Sequence, residues 1–269
     1  MDVPHTVTTA LDDQPVAGKR CLEAGAGVGN TTGGLLANGA ARVYAVTNDR
    51  DHARTTRRRV DGEGGDGGDG GDENGDGAND SDDSDENSGD HGDRLAVLEA
   101  DLRAIPLPDG SVDLITAHGL CNVLDPASLS TVAEELSRVA APGAQLVVDD
   151  YDPPPDGAAM RELFAVENAA SELARGRPAL TFYPAAFLRR FFAGHGWEFE
   201  RERALLEPVP WTESHVSAHA DEAADAAASA ADGSGGAGDA LAATARRLAA
   251  EIGSESAGRM YSLAFRRPG

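Results

Sequence analysis

Apolar residues along the chain follow two patterns that alternate. Short continuous runs, RCLEA (20–24), ARVYAVTN (41–48), LAVLEA (95–100), SVDLITA (111–117) and AQLVVDD (144–150), read as buried strands. Between the last two lies DPASLSTVAEELSRVAAPG, in which Leu129, Val132, Leu136 and Val139 recur at helical spacing. Asp125 is placed to cap this helix, Pro126 fits its first turn, and Pro142–Gly143 is expected to end it. Apolar strands alternating with helices predict a parallel sheet covered on both faces. Ligands of such sheets bind at the carboxyl ends of the strands.

The pattern changes after residue 150. YDPPPDG reads as a rigid loop, followed by a helix over 157–175. A second helix is predicted in PAAFLRRFFAGHG, with Pro184 at its start, Phe187, Leu188 and Phe191 on its buried side, and Gly194 at its end. WEFERERALLE (197–207) and GRMYSLAFRR (258–267) alternate in strand fashion and predict an antiparallel pair at the sheet edge. Residues 220–240 between them read as alanine-rich helix broken by a Gly/Ser hinge.

Charge changes the picture at one place. Residues 61–93 carry 14 Asp/Glu, no Lys or Arg, and no aromatic or branched apolar side chain. Such a segment has nothing to bury against the entropy of ordering, so a disordered acidic insertion is expected. Its Asp spacings come without the turn that would fold several oxygens onto a calcium ion. Over the whole chain 46 acids face 23 basic residues, of which only Lys19 is a lysine, giving a net charge of −23. That balance argues against electrostatic capture of nucleic acid or an anionic membrane. It resembles the halophilic (haloarchaeal-like) proteome type, where a Debye length of ~3 Å in ~1 M salt screens repulsion between carboxylates. No run approaches the ~20 apolar residues of a membrane span. The first 20 residues lack a signal-peptide pattern, and the two cysteines, Cys21 and Cys121, stand far apart in no metal-ligand spacing. A cytoplasmic protein without a metal site is expected.

The chemistry concentrates in CLEAGAGVGNTTGGLLANGA (21–40). Dinucleotide-binding dehydrogenases use G-x-G-x-x-G, whose third glycine lets helix and strand pack closely. Here Gly25, Gly27 and Gly29 give G-x-G-x-G, with Asn30 where the third glycine would stand. The run CLEAGAGVGNTT resembles motif I of the class I S-adenosylmethionine-dependent methyltransferases. LEADLRAIPLPDGSVDLITAHG and LSRVAAPGAQLVV resemble, in order, that family's third-strand acid with its proline-flanked loop and fourth strand, and its following helix, Pro-Gly turn and fifth strand. The terminal strand pair resembles its last two strands. The likeness covers roughly 18–150 and 184–267, less the insertion.

The resemblance implies a doubly wound Rossmann-like α/β fold. Its seven-stranded, mostly parallel sheet would have order 3-2-1-4-5-7-6, with an antiparallel last strand. It implies one domain over 1–269, an acceptor side in 151–215, and a helical, partly flexible insertion in 216–257. S-adenosylmethionine is the implied cofactor. Gly25, Gly27 and Gly29 would cradle its methionine part and ribose, with Glu23 approaching the ammonium group. Asp101 would bond the adenine amino group, with a helix cap as its other reading, and Leu102 would flank the ring. The family usually has an acid after the second strand to hold the ribose; here Thr47 follows the apolar run, so Asn48 or Asp49 must take that role. His118 would lie near the transferred methyl as a base, with a hydrogen-bonded loop histidine as the alternative. Tyr151, Tyr183 and Trp211 are candidates to line an acceptor pocket or to pack in the core. The acid excess, the single lysine and the aromatic, proline-containing stretch 151–215 argue for a small-molecule acceptor. A non-catalytic cofactor-binding protein and a nicotinamide-dependent oxidoreductase are the competing classes.

Overall fold

The computed structural model describes residues 3–60, 93–230 and 236–269. The acidic stretch 61–93, apart from its last residue, and the glycine-rich centre of 220–240 therefore lie outside the described residues.

Five predicted strands form where the apolar runs placed them: β1 (Arg20–Ala24), β2 (Arg42–Thr47), β3 (Leu95–Glu99), β4 (Val112–His118) and β5 (Ala140–Tyr151). β6 (Glu198–Leu206) and β9 (Met260–Arg266) complete a seven-stranded sheet of order β3-β2-β1-β4-β5-β9-β6, and β7 (Pro210–Trp211) pairs with β8 (Glu255–Ser256) apart from it. β1 to β5 pair in parallel, whereas β9 runs antiparallel to both β5 and β6. With β6 and β9 counted as sixth and seventh, this is the expected order and the expected antiparallel last strand.

The period of two sorts the strand residues to two cores. Leu22, Ile115, Leu146 and Val148 face α4 (Pro126–Val139) and α6 (Ala185–Gly194). Their neighbours Cys21, Leu114 and Val147 face the opposite side, with α1 (His5–Leu11) and α2 (Asn30–Ala37). α3 (Arg50–Val60) follows β2. A third apolar cluster joins α5 (Ala159–Arg175), α7 (Glu213–Ser229) and α8 (Ala237–Ile252) through Met160, Leu163, Phe164, Val216 and Leu248.

Two local readings are corrected, and a third feature is new. α4 stops at Val139, and β5 begins at Ala140, so Pro142–Gly143 lies inside the strand and does not end the helix. Gly143 takes φ +77° and donates its N–H to the Arg267 carbonyl, which carries the strand through the irregularity. On α6 the buried residues are Ala185, Leu188 and Phe192, whereas Phe187 is 43% exposed. Phe187 instead lies at the surface, stacked on Tyr183 and Phe191, whereas Phe191 is partly buried against the core as expected. The third is α1, which the sequence pattern did not announce. Its seven residues are too few for a periodic signal, and its anchoring comes from elsewhere. Arg201 and Arg203 of β6 bond the Ala10 and Thr9 carbonyls and pair with Asp12 and Asp13.

Candidate functional site

The strand order reverses between β1 and β4, and there the turns after β1 to β4 splay apart around a cleft of about 720 Å³. Each strand end contributes a wall. β1 leads into Gly25 and Gly27, β2 into Thr47, Asn48 and Asp49, β3 into Asp101 and Leu102, and β4 into His118, Gly119 and Leu120.

The three glycines do different jobs. All have left-handed backbones, φ +78° at Gly25, +50° at Gly27 and +84° at Gly29. A Cβ on Gly25 would stand 3.0 Å from Leu120 Cδ1, so the β1 turn is pressed against the loop after β4. A Cβ on Gly29 would meet Thr56 of α3 at 3.0 Å. Gly29 is thus the close-packing glycine, here between the start of α2 and α3, and it does not line the cleft. At Gly27 nothing lies within 4 Å of a Cβ position. Bare backbone faces open space there, the arrangement a close-lying ligand requires.

After β2, one Asp49 carboxylate oxygen caps α3, accepting from the N–H groups of Asp51 and His52 at 2.8 Å each. The His52 hydrogen bond holds the Asp49 carboxyl below its ordinary range. Its other oxygen and the Asn48 side chain remain for the cleft, and the structure brings both candidates to it. Thr47 also lines it, although its hydroxyl oxygen accepts from the Asp49 N–H at 3.1 Å. After β3, Asp101 caps the single 3₁₀ turn Leu102–Ala104 through the Arg103 N–H and forms a fork with the Arg103 guanidinium at 2.6–3.1 Å. Arg103 keeps the Asp101 carboxyl low. Cap and cleft wall are therefore the same residue, with both carboxylate oxygens engaged by Arg103.

Glu23 sits beneath the glycine turn, 3% exposed, and is not part of the cleft wall. Its carboxyl accepts from the Thr32 hydroxyl of α2. Burial pushes it up to about 7 despite the opposing pull of that bond and of His118. Asp150, wholly buried, is likewise raised to about 7 by desolvation although the Tyr151, Asn122 and Cys121 N–H groups favour its charge. Beside it, burial pushes the Cys121 thiol far above its usual value.

His118 lines the cleft with its side chain one-quarter exposed, and its Nδ1 lies 3.1 Å from Oδ2 of Asp149. Burial lowers its basicity, but the Asp149 hydrogen bond and the charges of Asp149, Glu23 and Asp150 outweigh this and leave it raised.

The three aromatic candidates lie elsewhere. Tyr183 is 6% exposed and its hydroxyl donates to the Leu124 carbonyl. Tyr151 and Trp211 pack on each other, ring centroids 5.5 Å apart, and the Trp211 indole donates to the Ala257 carbonyl. From 151–215 the described residue that reaches the cleft is Arg177, opposite Asp125 and Ser128 at the start of α4. Among the wall residues that sequence reasoning did not place at the site are Arg177, Arg103, His52, Val123 and Leu124. Val123 is an exposed apolar side chain there, which no pattern in the sequence announces.

Known proteins extend this picture. A family model described as a methyltransferase domain matches residues 77–148. A demethylmenaquinone methyltransferase of Clavibacter sepedonicus is 29% identical over 150 residues, 55% of this chain and 48% of that protein. One of Thermus thermophilus is 48% identical over 62 residues, 23% and 27% of the two chains. The chain thus spans about half or less of the curated relatives it matches. Among solved structures, the Bacillus YcgJ protein covers 98% of this chain and 99% of its own at TM-score 0.60 and 13% identity. A geranyl diphosphate methyltransferase in complex with the methyl donor aligns at TM-score 0.57 and 16% identity, over 97% of this chain and 84% of its own. The [4+2]-cyclase SpnF aligns at TM-score 0.59 and 16% identity, over 97% and 79%. Fold, strand order, glycine turn and the match of the methyltransferase domain model converge: over these parts the chain is similar to the class I S-adenosylmethionine-dependent methyltransferases.

Proposed function

We propose that the protein transfers the methyl group of S-adenosylmethionine to a small-molecule acceptor. One observation carries the reading. The open backbone at Gly27 stands in the same cleft wall as the ends of β2, β3 and β4. On this reading Gly25 and Gly27 lie along the methionine and ribose parts, Asn48 or Asp49 takes the ribose hydroxyls, and Asp101 with Leu102 holds the adenine. Glu23 acts from behind the turn, through its field or a bridging water.

The donor supplies a methyl group that is already activated, so the chain's contribution is alignment of acceptor and donor and exclusion of water. Acidity favours a small acceptor over a nucleic acid. Of the cleft's cationic side chains, Arg103 is engaged by Asp101, and Arg177 stands against Asp125. The demethylmenaquinone methyltransferases named above support a small acceptor too. A second reading, binding without methyl transfer, is favoured by SpnF, whose cyclase name shows this fold carrying other chemistry.

Isothermal titration with S-adenosylmethionine and its demethylated product tests the cofactor reading. Labelled donor incubated with cell extract, then split into metabolite, RNA and protein fractions, tests the acceptor. Label in metabolites is expected. Label mainly in RNA overturns the small-molecule reading, and binding without label in any fraction favours the non-catalytic one.

A further inference from the structure

Asp149 is a carboxylate with an unequal life. It is 3% exposed on β5, directly across the ladder from His118, with Oδ2 on the imidazole Nδ1 and Oδ1 buried without any hydrogen-bond partner among the described residues. A buried acceptor left unpaired costs about 1–3 kcal/mol, so the side chain is held where it is by something other than its own satisfaction. What it does hold is the ring. A carboxylate only accepts, so Nδ1 carries the hydrogen and the lone pair of the neutral ring is on Nε2. Nε2 makes no bond to a described residue, and the ring forms part of the cleft wall. The groups around it are acidic from both neighbouring strands, Glu23 on β1 and Asp149 and Asp150 on β5. Such surroundings favour the imidazolium that forms when the ring takes a proton.

We infer that Asp149 is a positioning residue that aims the lone pair of His118 Nε2 into the cleft as a proton acceptor, and that the methyl acceptor is therefore a hydroxyl compound of the phenol or enol class. This rests on the methyl-transfer reading of the cleft. A neutral amine attacks a sulfonium methyl with its own lone pair, whereas a neutral hydroxyl is a weak nucleophile until its proton leaves. The proton passes from the acceptor oxygen to Nε2. The freed electron pair forms the new bond to the methyl carbon, at that oxygen or at the carbon conjugated with it, and the carbon–sulfur pair returns to sulfur. The imidazolium then gives the proton to water.

The test uses the full chain with phenol, 4-nitrophenol and benzylamine as probes. By ¹⁵N NMR the wild type is expected to show the Nδ1–H tautomer at His118, and Asp149→Asn to populate the other tautomer and lower the titration midpoint. An unchanged tautomer and midpoint overturn the positioning role. Transfer to phenol is expected to fall about 10²-fold or more in Asp149→Asn. Transfer to 4-nitrophenol, which ionises unaided at mildly alkaline pH, should change little, as should donor affinity by calorimetry. His118→Gln gives the same split if Asp149→Asn does not fold. Label on benzylamine and not on the phenols, or no transfer to either phenol by a wild type that binds the donor, overturns the acceptor class. Failure of the wild type to bind the donor strikes the methyl-transfer reading instead, while the NMR result still decides the dyad.

Discussion

At the residue scale the three glycines separate by function although their sequence spacing treats them alike. Gly27→Val should retain the fold and lose donor affinity by about tenfold or more, because the new side chain occupies space a ligand would use. Gly29→Val should instead cost about 2 kcal/mol or more of stability in urea unfolding, from the left-handed φ and the Thr56 contact. The motif showed that the turn was special; only the position of Thr56, 27 residues downstream, tells which glycine serves packing. Glu23 gives a pH signature. Its folded value, about 7, lies above the ordinary 4.5, so it contributes most below about 4.5 and that contribution is lost as pH rises through 7. The melting temperature should therefore fall from pH 5 to pH 8 more steeply in the wild type than in Glu23→Gln, as differential scanning calorimetry would read. An identical slope in both would contradict a buried, proton-holding Glu23. Neither its depth nor its bond to Thr32 was legible in the motif, which shows an acid near glycines and nothing of what covers it.

At the element scale the central strands β1, β4 and β5 were legible because they are largely buried on both faces and so read as apolar runs, while β3, at the sheet's edge, is only partly buried. The helices after residue 150 were placed well but oriented less well. In AAFLRRFFAG four apolar positions compete for one face, and the sheet chooses Leu188 and Phe192. Leu188→Ala should therefore cost about 2–5 kcal/mol, whereas Phe187→Ala should cost under about 1, both measured by denaturant titration. The reverse ranking would mean that α6 is rotated about its axis. Pro142–Gly143 misled for a related reason. A Pro-Gly pair ends a helix as readily as it bends a strand, and the Arg267 carbonyl that receives the Gly143 N–H lies 124 residues away in sequence.

At the scale of the whole molecule, acidity governs behaviour that no single site reveals. With a net charge of −23, unfolding temperature should rise between about 0.1 and 2 M potassium chloride as repulsion is screened. A fall over that range would contradict the halophilic reading of the composition. The ion pairs joining Arg201 and Arg203 to Asp12 and Asp13 bear on how the molecule comes into being. They tie the first helix to the sheet's edge across 188 to 191 residues of chain. As the protein emerges from a ribosome, α1 can meet α2 and the face of β1 and β4 early, but the ion pairs that fasten it cannot form until β6 has been made. Helix α1 is thus synthesised long before β6, and its hydrogen bonds and ion pairs to that strand form late.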